Sequence, residues 1–117
     1  MIFLGHVEVA PLYQAADLFV MPSTYEGWGL VIGEALAAGL PVVTSKFPGS
    51  LAMIEPGENG LLLEDARDAV ELAGAIDRAL APATHAHLAT HARPSVLKYG
   101  WPEVCARLIA LGQRPIY

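Results

Sequence analysis

Cysteine is almost absent: Cys105 is the one thiol in 117 residues. That excludes a disulfide framework and any multi-thiolate metal site. Cations are scarce too, with seven Lys and Arg against twelve Asp and Glu, a net charge of -5 and a pI near 5.2. Such a balance argues against nucleic-acid binding, which draws on clustered positive charge. It argues equally against a membrane-surface anchor, because anionic lipid repels an acidic surface. No apolar run approaches the roughly 18 residues that a membrane-spanning helix requires. Met1–Gly5 has no charged start and is too short for a secretory signal, so none is expected. The shortage of cations is also uneven: residues 1–45 hold Glu8, Asp17, Glu26 and Glu34 but no Lys or Arg.

What the chain does have is apolar surface. Hydrophobic residues make up 54% of it and the mean hydropathy is +0.42. These values fit one compact domain, or a piece of one, able to bury roughly 65% of its unfolded surface. They suggest apolar strands covered on both faces, or a piece whose natural covering is absent. Ile2–Leu4, Leu18–Met21, Pro41–Thr44 and Leu61–Leu63 read as strands, with helices over Pro11–Ala16 and Leu30–Ala38 between them. The strand runs are continuously apolar, not alternating, which is the pattern of a parallel sheet with helices on both faces. Gly39 and Pro41 mark the end of the second helix. Phe47–Asn59, rich in Gly and Pro, reads as a linker.

The remainder is helical. Asp68 with Glu71 three residues later forms a candidate capping box, followed by an apolar stripe of Leu72, Ala73, Ile76 and Leu80. Ala81-Pro82 ends that helix, and a weaker one runs to Lys98 with Pro94 kinking or splitting it. Trp101, Val104, Leu108 and Leu111 repeat at helical spacing, with Trp101 read as a core anchor. The expected fold is α/β: an incomplete Rossmann-like parallel sheet in residues 1–64, then C-terminal helices in residues 65–117.

Chemistry concentrates in residues 22–39, where a strand ends, a Gly-containing loop follows and a helix starts near Gly29-Leu30. In open parallel sheets ligands sit at the carboxyl ends of strands, beside such helix starts. Free backbone N–H groups and the helix dipole favour an anion there. Gly27 and Gly29 let backbone approach a ligand, or serve simply as turn residues. Glu26 lies in the loop and Glu34 in an almost wholly apolar helix, separated by roughly 12 Å if the whole span is helical. They are too far apart for a close acid/base pair. Each suits a vicinal diol on one extended ligand, because a carboxylate oxygen accepts two hydrogen bonds. The plainer alternatives are an ordinary loop carboxylate for Glu26 and a solvent-facing helix residue for Glu34.

Glu26 and Glu34, with seven residues between them, follow Ala16-Asp17-Leu18-Phe19-Val20-Met21-Pro22-Ser23 and precede Ala35-Leu36-Ala37-Ala38-Gly39-Leu40-Pro41-Val42-Val43. This segment resembles the donor-binding half of retaining GT-B glycosyltransferases, the glycosyl transferases group 1 family. Phe3-Leu4-Gly5-His6-Val7, Glu58-Asn59-Gly60-Leu61-Leu62-Leu63 and Tyr99-Gly100-Trp101 extend the resemblance over residues 2–109. It implies the C-terminal half of a GT-B fold and a nucleotide-diphosphate sugar as donor, with no metal and no cofactor. Glu34 would bind ribose hydroxyls, and Glu26 hydroxyls of the transferred sugar near the reacting carbon. Backbone N–H groups of Gly27, Trp28, Gly29 and Leu30 would meet the sugar and diphosphate.

The resemblance also implies a cytoplasmic location, with any contact to the inner membrane face running through the N-terminal acceptor domain that these residues lack. Further strands of the sheet would lie between those matching residues 2–4 and 18–21. The family's upstream Arg and Lys have no counterpart before Lys46, and Ala52 stands where the family has a Glu. The fragment alone is therefore expected to be inactive. The alternative is a non-catalytic nucleotide-sugar or partner-binding module, or a truncated remnant.

Other residues read more quietly. Gly33 suggests tight helix–sheet packing. His6 reads as surface or capping, and Cys105 as packing. Tyr25 and Trp28 either flank a sugar or base or act as partly buried lid residues. His85, His87 and His91 resemble a metal cluster, with 87 and 91 on one helical face, but no acidic or thiol partner accompanies them in the sequence.

Overall fold

The computed structural model describes residues 1–112. Three parallel strands, β1 (Phe19–Met21), β2 (Val42–Ser45) and β3 (Gly60–Leu63), lie in that order. Phe19 registers with Val42, and Val42 with Gly60. The helices are α1 (Ala10–Ala15), α2 (Leu30–Ala37), α3 (Pro48–Met53), α4 (Ala69–Leu80), α5 (Pro82–Val96) and α6 (Trp101–Gly112). No described helix is long and apolar enough to cross a membrane.

The central strand explains the unbroken apolar runs. All residues of β2 are buried, and neighbouring side chains on a strand point to opposite faces. Val42 packs into a cluster with Ile32, Ala35, Leu36 and Met53 of α2 and α3, joined by Ala92 and Val96 of α5. Val43 packs on the other face with Leu63, Ala75, Ala79 and Leu88. Helix α5 therefore serves both layers, contributing Leu88 to one and Ala92 and Val96 to the other. It runs through Pro94 without a break and tightens into a 3-10 turn at Leu97–Tyr99.

Helix α2 stops where its sequence indicates. Gly39 N–H bonds the Leu36 carbonyl and Leu40 N–H the Ala35 carbonyl, at 2.9 and 3.0 Å. These are the two bonds of a Schellman cap, and buried Leu40 supplies its apolar contact.

Several expectations change. Ile2–Leu4 is not a strand, and Phe3 is 89% exposed. A strand needs a partner for its N–H and C=O groups; β1 is the sheet edge and these residues do not pair with it. The capping box is half formed. Asp68 Oδ1 accepts from Val70 and Glu71 N–H, whereas Glu71 turns to accept from the backbone of Glu64 and Asp65 at 2.7 and 2.9 Å. The α4 stripe runs through Leu72, Ala75, Ile76 and Ala79, with Ala73 and Leu80 exposed. The side chains of Trp101, Val104, Leu108 and Leu111 lie outside the described residues.

Phe47–Asn59 is not a linker. Buried Ser50 accepts from Phe47 N–H at 2.9 Å and donates to the Ser45 carbonyl at 2.7 Å, which starts α3 directly after β2. Buried Asn59 donates to the Met53 carbonyl (2.9 Å) and Ser95 Oγ (2.8 Å), and accepts from Glu55 N–H (2.8 Å). One side chain thus ties α3, the following loop and α5 together.

Asn59→Ala strands those buried partners, and a loss of about 2–3 kcal/mol is expected in denaturant unfolding. Gly49 has no room for a side chain, since a Cβ there would lie 1.6 Å from the Trp28 carbonyl oxygen. Gly49→Ala must therefore push α3 and the 22–29 loop apart, and should cost about 1–3 kcal/mol in the same assay.

Candidate functional site

The loop between β1 and α2 is held from below by hydroxyl groups. Thr44 Oγ1 donates to the Met21 carbonyl at 2.8 Å, and Ser45 Oγ donates to the Ser23 carbonyl. The chain then turns into α2 at Gly29, whose φ of +72° falls in the left-handed region. Gly29 is buried, and a Cβ there would lie 2.9 Å from the Phe47 ring. No side chain caps the first turn of α2, and only Ile32 N–H is satisfied there, by the Gly29 carbonyl at 3.0 Å, so the N–H groups of Leu30 and Val31 have no internal acceptor.

The surface of α2 beyond this start is apolar. Leu30 is 72% exposed, and Glu34 is the one charged residue of the helix. Glu34 accepts a hydrogen bond from the Tyr13 hydroxyl at 3.1 Å. It stands in the wall of two cavities. One, of about 690 Å3, is lined by Trp28, Leu30, Gly33, Met53 and Tyr99 besides Glu34. The other, of about 630 Å3, is lined by Tyr13, Gln14 and Arg93 besides Glu34. The Tyr13 phenol is held above its ordinary pKa of 10.0, first by burial and then by its hydrogen bond and charge interaction with Glu34. It stays protonated through the neutral range and keeps donating to Glu34.

Of the residues singled out from the sequence, Trp28, Leu30 and Glu34 share one cavity, and Gly29 lies buried beside it. Glu26 is half-buried, and its Oε1 accepts from Gly27 N–H at 3.0 Å. Its carboxylate is in neither cavity lined by Glu34. The carboxyl ends of the strands form a smaller polar hollow of about 180 Å3, where Ser23, Thr24, Lys46, Glu64, Asp65 and Arg67 meet. Lys46 is paired with Glu64 there.

That Arg93 lines the same cavity as Glu34 has no signal in the linear sequence. It follows from Ala92 packing against α2, a contact between helices far apart in the chain.

The quieter residues divide. A Cβ on Gly33 would meet only the Met53 sulfur, at an ordinary 3.5 Å, so Gly33 faces α3 and the cavity and not the sheet. His6, Tyr25 and Cys105 are exposed, which removes a packing role for Cys105. His85 bonds the Asp17 carbonyl at 2.7 Å, apart from the other two histidines. Glu58 supplies His87 and His91 with the acidic partner missing from their own helix.

The family model for glycosyl transferases group 1 matches residues 1–82. A D-inositol 3-phosphate glycosyltransferase of Corynebacterium urealyticum is 35% identical over 105 residues, which cover 89% of this chain and 24% of that protein. A GDP-mannose-dependent alpha-mannosyltransferase of Corynebacterium glutamicum is 33% identical over 118 residues, or 95% of this chain and 29% of its own. The chain thus spans about a quarter of the length of the curated relatives it matches. Among solved structures, sucrose-phosphate synthase from Thermosynechococcus elongatus superposes with a TM-score of 0.85 at 36% identity, over 96% of this chain and 29% of its own. Anabaena HepE in complex with UDP-glucose gives 0.78 at 32% identity, over 94% of this chain and 31% of its own. With sequence and backbone in agreement over most of its length, the chain belongs to the glycosyl transferases group 1 family and has the fold of a GT-B glycosyltransferase C-terminal domain.

Proposed function

We propose that this chain is the donor-binding part of a longer glycosyltransferase, one that moves a sugar from a nucleotide-diphosphate sugar to an acceptor with retention at the anomeric carbon. The observation that carries this reading is Glu34: a lone carboxylate in an apolar cavity wall, already accepting an O–H at 3.1 Å. The Tyr13 hydroxyl stands in for a ribose hydroxyl of the donor. A ligand diol displaces it and uses both lone pairs that a carboxylate oxygen offers. The uncapped start of α2 receives the diphosphate; the N–H groups of Trp28, Gly29 and Leu30, and that of Gly27 once Glu26 releases it, meet the diphosphate and the sugar. Glu26 is held by a single bond to Gly27 N–H on an exposed loop. Exchanging that bond for a sugar hydroxyl costs little, and brings the carboxylate to the transferred sugar near its reacting carbon.

A departing nucleoside diphosphate carries about two to three negative charges, more than one helix dipole of roughly half a charge can neutralise. Cations from the preceding part of the donor domain complete the site, and an N-terminal domain brings the acceptor. Neutralisation by cations and amides leaves the transfer independent of a metal or cofactor. The 117 residues bind donor without turning it over, because both substrates must be positioned in one closed cleft. The relative solved with UDP-glucose supports the ligand class. A cytoplasmic site, where nucleotide sugars are used, completes the proposal.

Titration calorimetry with UDP-, GDP- and ADP-sugars tests this. Glu34→Ala should weaken binding of the preferred donor at least tenfold, about 1.4 kcal/mol. Equal binding by wild type and variant removes Glu34 from the site. Tyr13→Phe frees the Glu34 carboxylate and should tighten donor binding by about two- to threefold.

The same pair fixes an alkaline pH dependence. Since the folded-state pKa of Tyr13 is raised, its contribution to stability is complete below pH 10.0 and is lost as pH rises through the higher folded value. A wild-type minus Tyr13→Phe absorbance titration should have its midpoint above pH 10.0; a midpoint at or below that value contradicts the contact.

A further inference from the structure

We propose that Glu58, His87 and His91 bind a first-row divalent transition-metal ion, Zn2+ foremost, which staples the loop between α3 and β3 to helix α5. The site lies at the amino-terminal end of β3, whereas the 22–29 loop lies at the carboxyl ends of the strands. It takes no part in sugar transfer.

His87 and His91 are four residues apart on α5, so they project from one face as neighbours. Their rings lie 4.4 Å apart between centroids. Glu58 comes from the loop that leads into β3, 29 residues away from His87 in sequence. Its Oε2 is 3.1 Å from His87 Nε2 and 3.9 Å from His91 Nε2. One ligand atom from each residue falls within 4.8 Å of the other two. Ligands held at zinc's usual distances stand about 3.4 Å apart in a tetrahedron, so the two separations from Glu58 bracket what an ion requires. All three side chains are about half exposed, and the remaining adjustment is a matter of rotamers.

The orientation of His91 is set for this task. Its Nδ1 lies 2.8 Å from the His87 carbonyl oxygen, which can only accept, so Nδ1 carries the proton and Nε2 presents its lone pair toward Glu58. A backbone carbonyl that fixes the tautomer of a metal-binding imidazole is a familiar outer-sphere device. His87 meets Glu58 through Nε2 and must hold its proton on Nδ1 when the ion binds. A cavity of about 240 Å3 adjoins the cluster and is lined by Glu58, His91 and a second carboxylate, Glu55. Glu55 or water fills the fourth position. Two imidazoles and a carboxylate select Zn2+, Co2+ or Ni2+ over the hard cations Mg2+ and Ca2+.

What the ion would do follows from what it joins. Asn59, next to Glu58, already links this loop to Ser95 on α5. A second tie through Glu58 would lock the entry to β3 against α5, and α5 packs on both faces of the sheet.

The test uses the 117-residue chain carrying Cys105→Ser, which removes an exposed thiol as a competing ligand. Calorimetry with Zn2+, and visible absorption with Co2+, should give one ion per chain and a rise in the thermal unfolding midpoint. His91→Ala and Glu58→Gln should each weaken Zn2+ binding at least tenfold and abolish that rise, while His85→Ala leaves both unchanged. Circular dichroism of the metal-free variants should match the parent, since these side chains are exposed. Failure of the parent to bind Zn2+, Co2+ or Ni2+ overturns the proposal. So does a His87→Ala/His91→Ala double variant, or Glu58→Gln, that binds Zn2+ as the parent does. Donor binding is measured in parallel, and its loss or retention in Glu34→Ala is read independently of the metal.

Discussion

Two hydroxyl groups at the end of the central strand hold the rest in place. Thr44 and Ser45 are buried, and each donates to a carbonyl in the stretch where β1 gives way to the site loop. Ser50 closes the arrangement by donating back to Ser45. Each bond adds only about 1 kcal/mol net, but a buried hydroxyl or carbonyl left without its partner costs about 1–3 kcal/mol. The loop therefore has few alternatives to the path that brings Gly29 against Phe47 and sets the direction of α2. The contact of Gly49 with Trp28 confines it from the side. The loop that carries the candidate site residues is here shaped by strand-end polar bonds and not by its own sequence.

The two glutamates illustrate what such scaffolding does. Glu34 sits on a helix whose opposite side is anchored by Ile32, Ala35 and Leu36 in the core, so its direction is inherited from packing. Glu26 sits on the loop and satisfies itself on the neighbouring amide. The first is fixed by the core; the second is held by one bond to its neighbour on the loop. Tyr13, reaching in from α1, donates its hydroxyl to the fixed carboxylate.

Much of this was legible in the sequence, and the exceptions have physical reasons. β2 and α2 were readable because burial on both sides leaves continuous apolar runs, and because Gly39 and Pro41 mark a helix end. The grouping of Trp28, Leu30 and Glu34 followed from their place around one helix start. Ile2–Leu4 was misread because apolar composition does not reveal whether a partner strand is adjacent. The 47–59 segment was misread because Gly and Pro also begin short helices, and because what orders it is the side chains of Ser50 and Asn59. Arg93 and Glu58 were invisible for a third reason: each gains its setting from a helix or loop distant in sequence. The histidine pair had the spacing of a ligand set, but its acidic member arrived only with the fold.

Between α4 and α5 the chain turns on one residue. Ala81 ends the first helix and begins the second, with backbone angles of -57° and 130°, and Pro82 follows at once. Such an elbow has no spare length to absorb a shift. A sideways push on the second helix passes into the first, and through Leu88 and Val96 it reaches both layers of the sheet together. The corner thus couples the two helices in addition to the core contacts that each makes.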